Sequence, residues 1–337
     1  MTSSPDSTAQ STVLPDYDEV VAAAERLRGV AIETPLLNVP ALDAWVGGSI
    51  LIKPETLQRT GSFKFRGAYN KLSQLPESAK EGGVVAYSSG NHAQGVAHAA
   101  QLLGIPAIIV MPSDAPKMKI ENTRGYGADV RLYDRYQEQR EQVGAQIAAE
   151  RGATLVKPYD DPDVIAGQGS CGLEIARQAA AQGWRVDALL TCCGGGGLTA
   201  GSALAMRALS PATEIYTVEP EGFDDHARSI AEGHRVSNYP GGRSFCDALL
   251  APTPGELTFE INRKLLAGGI AVSDAEVRQA MAFAFRVLKL IVEPGGAVCL
   301  AAVLAGKLDL HGRTVAITMS GGNVDPETFC EAIRAAA

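Results

Sequence analysis

Thr191-Cys192-Cys193-Gly194-Gly195-Gly196-Gly197-Leu198-Thr199-Ala200-Gly201 is the stretch on which the reading of this chain turns. A short apolar run leads into it and residues with helical spacing follow it, so it reads as a buried strand, a glycine turn and the start of a helix. Four consecutive glycines carry a heavy entropic cost on folding. Their use at such a junction is to let backbone N–H groups approach a phosphate at the positive end of the helix. The plain alternative is a flexible turn, and the strand before and helix after weigh against it. Gly195, Gly197 and Ala200 also satisfy the G-x-G-x-x-A dinucleotide pattern, with Glu219 about 20 residues on. At this loop alone a nicotinamide reading is therefore a real rival.

The same alternation extends outward. Apolar runs rich in Val, Ile and Thr mark strands at 50–53, 84–87, 107–111, 130–133, 189–192, 215–218 and 314–318. Between them helical periodicity marks 91–103, 136–151, 175–182, 199–208 and 274–288. Strand runs that are apolar throughout have both faces covered, so the fold class is α/β with mostly parallel open sheets and helices on both faces. A chain of 337 residues exceeds the roughly 250 that one core supports, which predicts two lobes. We expect a small inserted α/β domain at 81–157, a large domain from 15–80 plus 158–337, and a disordered tail at 1–14. No repeat of fixed period is visible.

Thirty Lys and Arg against 38 Asp and Glu give a net charge of -8, with no basic tract to follow a phosphate backbone. Nucleic acid is thereby excluded as a partner on bulk charge, and an anionic membrane surface would be repelled. No stretch approaches the roughly 18 apolar residues of a membrane span, and residues 1–15 lack the apolar core of a signal peptide. The six cysteines have no metal-ligand spacing and mostly apolar neighbours, which suggests buried thiols in a reducing cytoplasm.

A second stretch, Thr60-Gly61-Ser62-Phe63-Lys64-Phe65-Arg66-Gly67-Ala68, decides between the two readings of the glycine loop. Ser62 has the character of an N-cap, and Phe65, Ala68 and Leu72 continue at helical spacing. Lys64 then falls in the first helical turn, where the macrodipole disfavours a cation. The dipole favours the neutral amine that Schiff-base chemistry requires. A solvated surface lysine is the bland alternative.

The run from Ser62 to Ala68 resembles the lysine motif of fold type II pyridoxal-phosphate enzymes, the tryptophan synthase β-like fold, and is nearest the serine/threonine dehydratase and serine racemase branch. Ser88-Ser89-Gly90-Asn91-His92-Ala93-Gln94-Gly95 resembles that branch's substrate loop, Gly194, Gly195, Gly196, Gly197 and Leu198 its phosphate cup, and Met319-Ser320-Gly321-Gly322-Asn323-Val324 its pyridine-nitrogen motif. Four motifs in the family's order are jointly specific. The resemblance implies pyridoxal 5'-phosphate (PLP) as cofactor, with Lys64 carrying it as a Schiff base, Phe63 on one ring face, Asn91 on the ring's 3' oxygen and Ser320 facing the pyridine nitrogen. Ser88, Ser89, Gly90, Asn91 and His92 would receive the substrate carboxylate, although a Ser/Asn helix cap is compatible with the same residues. Ser89 would be a second base on the ring face opposite the lysine.

Glu219-Pro220-Glu221-Gly222-Phe223-Asp224-Asp225 resembles the branch's divalent-cation site, where carboxylates of Glu219 and Asp225 and the Phe223 carbonyl would suit Mg²⁺ or Ca²⁺. An acidic surface turn is the equal alternative. Glu293-Pro294-Gly295-Gly296-Ala297 resembles a turn that places a glutamate near the cofactor, and is also a plain helix start. Ser244-Phe245-Cys246-Asp247-Ala248 departs from the family's Ala-Asp-Gly, which bears on the substrate. The resemblance implies a cytoplasmic homodimer that deaminates L-threonine or L-serine, with serine racemisation and 3-hydroxyaspartate dehydration as alternatives. Only a short helical segment follows Asn323, so no C-terminal regulatory domain is expected.

Overall fold

The computed structural model describes residues 13–88, 90–115, 117–134 and 136–335. Ten strands build two sheets. They are β1 (Leu37–Asn38), β2 (Ser49–Pro54), β3 (Val84–Tyr87), β4 (Ala107–Pro112), β5 (Asp129–Tyr133), β6 (Thr154–Leu155), β7 (Ala188–Cys192), β8 (Glu214–Pro220), β9 (Gly268–Val272) and β10 (Thr314–Met319). The six-stranded sheet runs β1-β2-β10-β7-β8-β9 and the four-stranded sheet β5-β4-β3-β6. Every pairing is parallel except β1 with β2. The strands of the smaller sheet all fall within 81–157, and those of the larger sheet all fall outside it.

The alternation of side chains along the central strands explains why both faces are covered. Ile50, Ile52, Leu190, Val315 and Ile317 pack with Val298, Leu300 and Val303 of helix Pro294–Leu304. Their strand neighbours Leu51, Leu189 and Ala316 point the other way, to Ile175 of helix Pro162–Ala181 and to Ala203 and Met206 of helix Gly197–Leu209. A parallel sheet buried on both sides tolerates polar side chains only at its ends, where its turns collect.

Three expectations are corrected. Ser62 is not the N-cap: the helix is Lys64–Ser73, its N-cap is Phe63, and Ser62 is extended and bridges to Gly321. The helix expected from 136 begins at Arg140 instead, after a turn held by Asp134, whose side chain accepts from the Tyr136 N–H at 2.9 Å. The helix expected from 274 to 288 stays α-helical only over Asp274–Phe283 and continues as a wider π-turn, Ala284–Leu288, closed by Lys289 in the left-handed region.

Candidate active site

The carboxyl ends of both sheets face one cleft of about 1130 Å³, open mouth included. Strand β2 leads into the lysine segment through Thr60, a non-glycine residue at φ +59° whose carbonyl accepts from Asn323 Nδ2 at 2.7 Å. That left-handed turn is costly in isolation, and the bond to Asn323 holds it. The Phe63 N–H donates to the Ser320 carbonyl, the Glu293 N–H to the Gly321 carbonyl and the Gly322 N–H to the Gly61 carbonyl. Three distant segments are thus stitched side by side, and Lys64 leaves them as the first residue of its helix.

Lys64 is partly buried. Its Nζ donates to the Pro158 carbonyl at 2.8 Å and lies 5.1 Å from the centre of the Phe63 ring. Burial pulls its pKa down to about 8, against the influence of Cys193 and Glu293, which pushes it up. A substantial neutral fraction near physiological pH is what an amine nucleophile needs. Opposite stands helix Asn91–Leu103, whose first N–H groups have no partner within the helix. Gly95 lets that helix touch the lysine segment: a Cβ there would come within 3.1 Å of the Lys64 carbonyl carbon.

Asn91 is held at both ends. Its Nδ2 donates to Glu293 Oε1 at 2.5 Å and its Oδ1 accepts from Asn323 Nδ2 at 2.7 Å. Burial raises the Glu293 pKa to about 8, helped by the charge of Asp247. His92 bonds the Val156 carbonyl through Nε2 at 3.0 Å, and burial with the Lys64 charge lowers its pKa to about 3, so its ring is neutral. A ring that donates from Nε2 keeps Nδ1 as an acceptor, so an arriving carboxylate meets backbone N–H groups here and not an imidazolium.

Phe63, Lys64, Ser88, Gly90, Asn91, His92, Gly194, Gly195, Gly196, Gly197, Leu198, Glu293 and Ser320 all line this cleft. Ser89 lies outside the described residues. The glycines end β7 and open helix Gly197–Leu209, with Gly196 left-handed at φ +94°. A side chain on Gly195 would collide with the Tyr159 ring at 2.3 Å, so the loop's own peptide groups form the surface. Glu219, which a dinucleotide would need beside it, does not line the cleft. It is fully buried and accepts from the N–H groups of His226 at 2.9 Å and Ala227 at 2.8 Å.

Glu219 and Asp225 do come together, since the charge of Asp225 contributes, after burial, to the raised pKa of Glu219. Asp225 Oδ1 accepts from Asn238 Nδ2 at 2.6 Å, and burial raises its pKa to about 7. Among the described residues no group of three or more His, Cys, Asp or Glu side chains could hold a metal ion. The expected set has two carboxylates and the Phe223 carbonyl; both Glu219 oxygens accept from the following helix, whereas Asp225 Oδ2 is buried without a hydrogen-bond partner.

Sequence reading missed Lys119, Arg140 and Pro158, and it quoted Asp247 and Asn323 within motifs without giving either a role of its own. Lys119 Nζ bonds Asp247 Oδ2 at 2.9 Å across the cleft, and the Arg140 guanidinium lies 5.7 Å from the Tyr87 ring centre. Both cations sit in the first turn of helices that follow β4 and β5. The argument from dipole inconsistency that singled out Lys64 applies to them only once the helix starts at Lys117 and Arg140 are known, whereas the sequence reading has no helix at the first and begins the second at 136.

A lysine amine near neutrality, facing a glycine cup across the carboxyl ends of parallel sheets, defines an enzyme that works through an aldehyde cofactor with an anionic tail. The family model described as "Pyridoxal-phosphate dependent enzyme" matches residues 27–321, and the chain belongs to that family, in its fold type II. It is similar to the L-threo-3-hydroxyaspartate ammonia-lyase of Pseudomonas sp, 46% identical over 95% of this chain and 99% of the relative. It is also similar to the L-threonine ammonia-lyase of Thermotoga maritima, 41% identical over 91% of this chain and 75% of the relative. The solved structure of maize serine racemase superposes with a TM-score of 0.89 at 37% identity, covering 96% of this chain and 98% of that one. The chain is a PLP-dependent ammonia-lyase homologue over nearly its full length. No described helix is long and apolar enough to cross a membrane.

The residues present fit PLP. The cradle of Gly194–Gly197 offers peptide N–H groups at a helix N-terminus, Lys64 offers the amine, and Ser320, nearly fully buried, offers a hydroxyl beside Cys192. Among the described residues the neighbour recorded for that hydroxyl is the Cys192 thiol and not a carboxylate, so a ring nitrogen there would not be forced to stay protonated by a carboxylate.

Proposed function

We propose that the chain is an ammonia-lyase for a small β-hydroxy amino acid, with the dicarboxylic 3-hydroxyaspartate preferred over threonine and serine. The observation that carries the preference is the pair of cations, Lys119 and Arg140, lining the cleft in addition to Lys64. An α-carboxylate is provided for by the N-terminus of helix Asn91–Leu103, with Ser88, Gly90 and His92 beside it. Lys119 is paired with Asp247 at 2.9 Å and Arg140 with Glu141 at 2.7 Å; a second substrate carboxylate would be drawn to these two cations, whereas a serine or threonine side chain would not. The relatives named L-threo-3-hydroxyaspartate ammonia-lyase point the same way.

PLP, when bound, supplies the electron sink that makes the substrate Cα–H acidic. The chain's own work is positioning and proton transfer. Lys64 is the amine that takes the aldehyde and, once exchanged for the substrate's amino group, the base that removes the α proton. Phe63 supports one ring face, Ser320 meets the ring nitrogen, and Asn91, fixed by Glu293 and Asn323, meets the ring oxygen. The β-hydroxyl leaves as water, and one water re-enters as the enamine is hydrolysed, so 3-hydroxyaspartate yields oxaloacetate and ammonia. Racemisation needs a second base; the likeness to serine racemases speaks for that activity, and Ser89, the expected base, lies outside the described residues.

The test is a steady-state comparison of 3-hydroxyaspartate, threonine and serine on wild type and Arg140→Gln. Charge-assisted hydrogen bonds contribute about 1.5–3 kcal/mol, so the substitution lowers kcat/KM for 3-hydroxyaspartate by roughly 10- to 100-fold. Serine turnover stays within about twofold, since it makes no such bond. Equal losses on both substrates would remove the dicarboxylate reading.

A further inference from the structure

Beneath the glycine loop, on the side away from the cleft, lies a layer of polar side chains with no assigned task. His226 and Asn262 are fully buried. No polar atom of either side chain completes a hydrogen bond of normal geometry, although the His226 ring is close enough to the Gly195 carbonyl to be influenced by it. A Cβ placed on Gly196 would lie 2.6 Å from His226 Nε2 and 3.0 Å from Asn262 Nδ2, so both press directly against that residue. The Gly195 carbonyl also accepts from Thr258 Oγ1 at 2.7 Å and from the Gly255 N–H at 3.3 Å.

The geometry of one peptide unit gives this layer a consequence. In a trans peptide the C=O and the following N–H point in opposite directions. A Gly195 carbonyl drawn back toward Thr258, Gly255 and His226 therefore turns the Gly196 N–H toward the cleft that Gly194–Gly197 line. Glycines on both sides make a flip of this peptide sterically cheap. A flip would present a carbonyl oxygen, the wrong polarity for an anion. Something must hold the peptide, and a buried polar side chain without a partner is expensive unless it serves such an end.

We infer that Thr258, His226 and Asn262 are positioning residues for the phosphate loop, fixing the orientation of the Gly195–Gly196 peptide so that its N–H group faces the phosphoryl oxygens of PLP. The inference rests on reading the glycine loop as the cofactor's phosphate cup. Thr258 and Asn262 lie on helix Glu256–Leu265 and His226 on helix Asp225–Glu232, so the loop is held from two helices that do not themselves line the cup.

The experiment strips cofactor from purified holoenzyme and measures rebinding of PLP and of pyridoxal, which lacks the phosphate, together with the ³¹P resonance of bound PLP. Thr258→Val removes one hydroxyl at nearly constant shape, Thr258→Ser restores it, and His226→Leu removes the ring. In Thr258→Val and His226→Leu, PLP affinity falls about tenfold or more and the ³¹P resonance moves. Pyridoxal affinity stays at the wild-type value, and Thr258→Ser recovers both PLP readouts. Equal loss of PLP and pyridoxal affinity, or unchanged PLP affinity with only a lowered melting temperature, would overturn the positioning role. If His226→Leu does not fold, Thr258→Val and Thr258→Ser decide alone. Wild type binding pyridoxal as tightly as PLP would instead overturn the phosphate-cup reading itself.

Discussion

Lys64 and Arg66 stand two residues apart on one helix and meet opposite fates. A step of two residues turns about 200° around a helix, so one side chain faces the cleft and the other the core. Arg66 is fully buried with its donors engaged: Nε and Nη2 bond Glu55 at 2.7 and 2.8 Å, and Nη1 and Nη2 bond Glu174 at 2.6 and 2.8 Å. Lys53 joins the group through Glu174 at 2.6 Å and the Thr34 carbonyl at 2.5 Å. Burial works against the charges of Glu55 and Arg66, yet their partners win: Glu55 is held below the usual carboxylate range and Arg66 above the usual guanidinium range. Lys64 has one carbonyl partner, and there burial wins. A buried charge with a full set of partners serves the fold, and one left short of partners is available for chemistry.

Replacing each residue in turn tests that contrast most directly. Lys64→Ala lowers kcat by about 10³-fold or more, since it removes both the amine that takes the cofactor and the proximal base. Its melting temperature stays at or above that of wild type in the cofactor-free state, because a partly buried, underpartnered amine is lost. A melting temperature several degrees lower would break the comparison. Arg66→Met should do the reverse. It leaves Glu55 and Glu174 facing each other without their shared cation, a loss of about 3–5 kcal/mol by denaturant titration. A variant as stable as wild type would show that this network contributes nothing to the fold.

The two regions also differed in how far they could be read from sequence. Strand runs such as 84–87 and 189–192 were legible because a parallel strand buried on both faces is apolar throughout. Strand β9, Gly-Gly-Ile-Ala-Val, was not, since its glycines mimic a turn; yet a Cβ on Gly269 would meet Ala227 at 2.5 Å, so close packing demands glycine there. Helix Pro162–Ala181 was read only from 175 for the same reason. Gly169 and Gly172 lower its propensity while letting it approach helix Gly197–Leu209 so closely that added methyls would lie 2.7 Å from the Gly201 carbonyl oxygen and 2.5 Å from Ser202 Cα. Its start was signalled by Asp161-Pro162, a capping side chain before a proline at the first helical position. At the site, residues in contiguous motifs were legible. Arg66 lay within one and its partner Glu174 108 residues away, so nothing local marked the pair as structural. Lys119 and Asp247 reach the cleft only through chain topology.

The finest test of the contrast lies in the titration of Lys64. Its pKa of about 8 is a balance between burial, which favours the neutral amine, and the influence of Cys193 and Glu293, which favours the charged one. Burial keeps the Cys193 thiol protonated well above that pH, so Glu293 is the neighbour whose negative charge matters there. Only the neutral form attacks an aldehyde, so capture of PLP by the cofactor-free enzyme accelerates as pH rises through about 8 and levels off above it. Glu293 itself changes charge near pH 8, so the observed midpoint belongs to the coupled pair. Glu293→Gln keeps an oxygen for the Asn91 amide and removes the negative charge. Loss of a negative neighbour disfavours the ammonium form, which places the midpoint at lower pH, by less than about one unit. Rapid-mixing absorbance measurements of PLP capture between pH 6 and 10 read that shift directly. A midpoint that stays put or moves upward would mean that Glu293 does not act on Lys64 through charge, and that its contact with Asn91 is its whole contribution to the cleft.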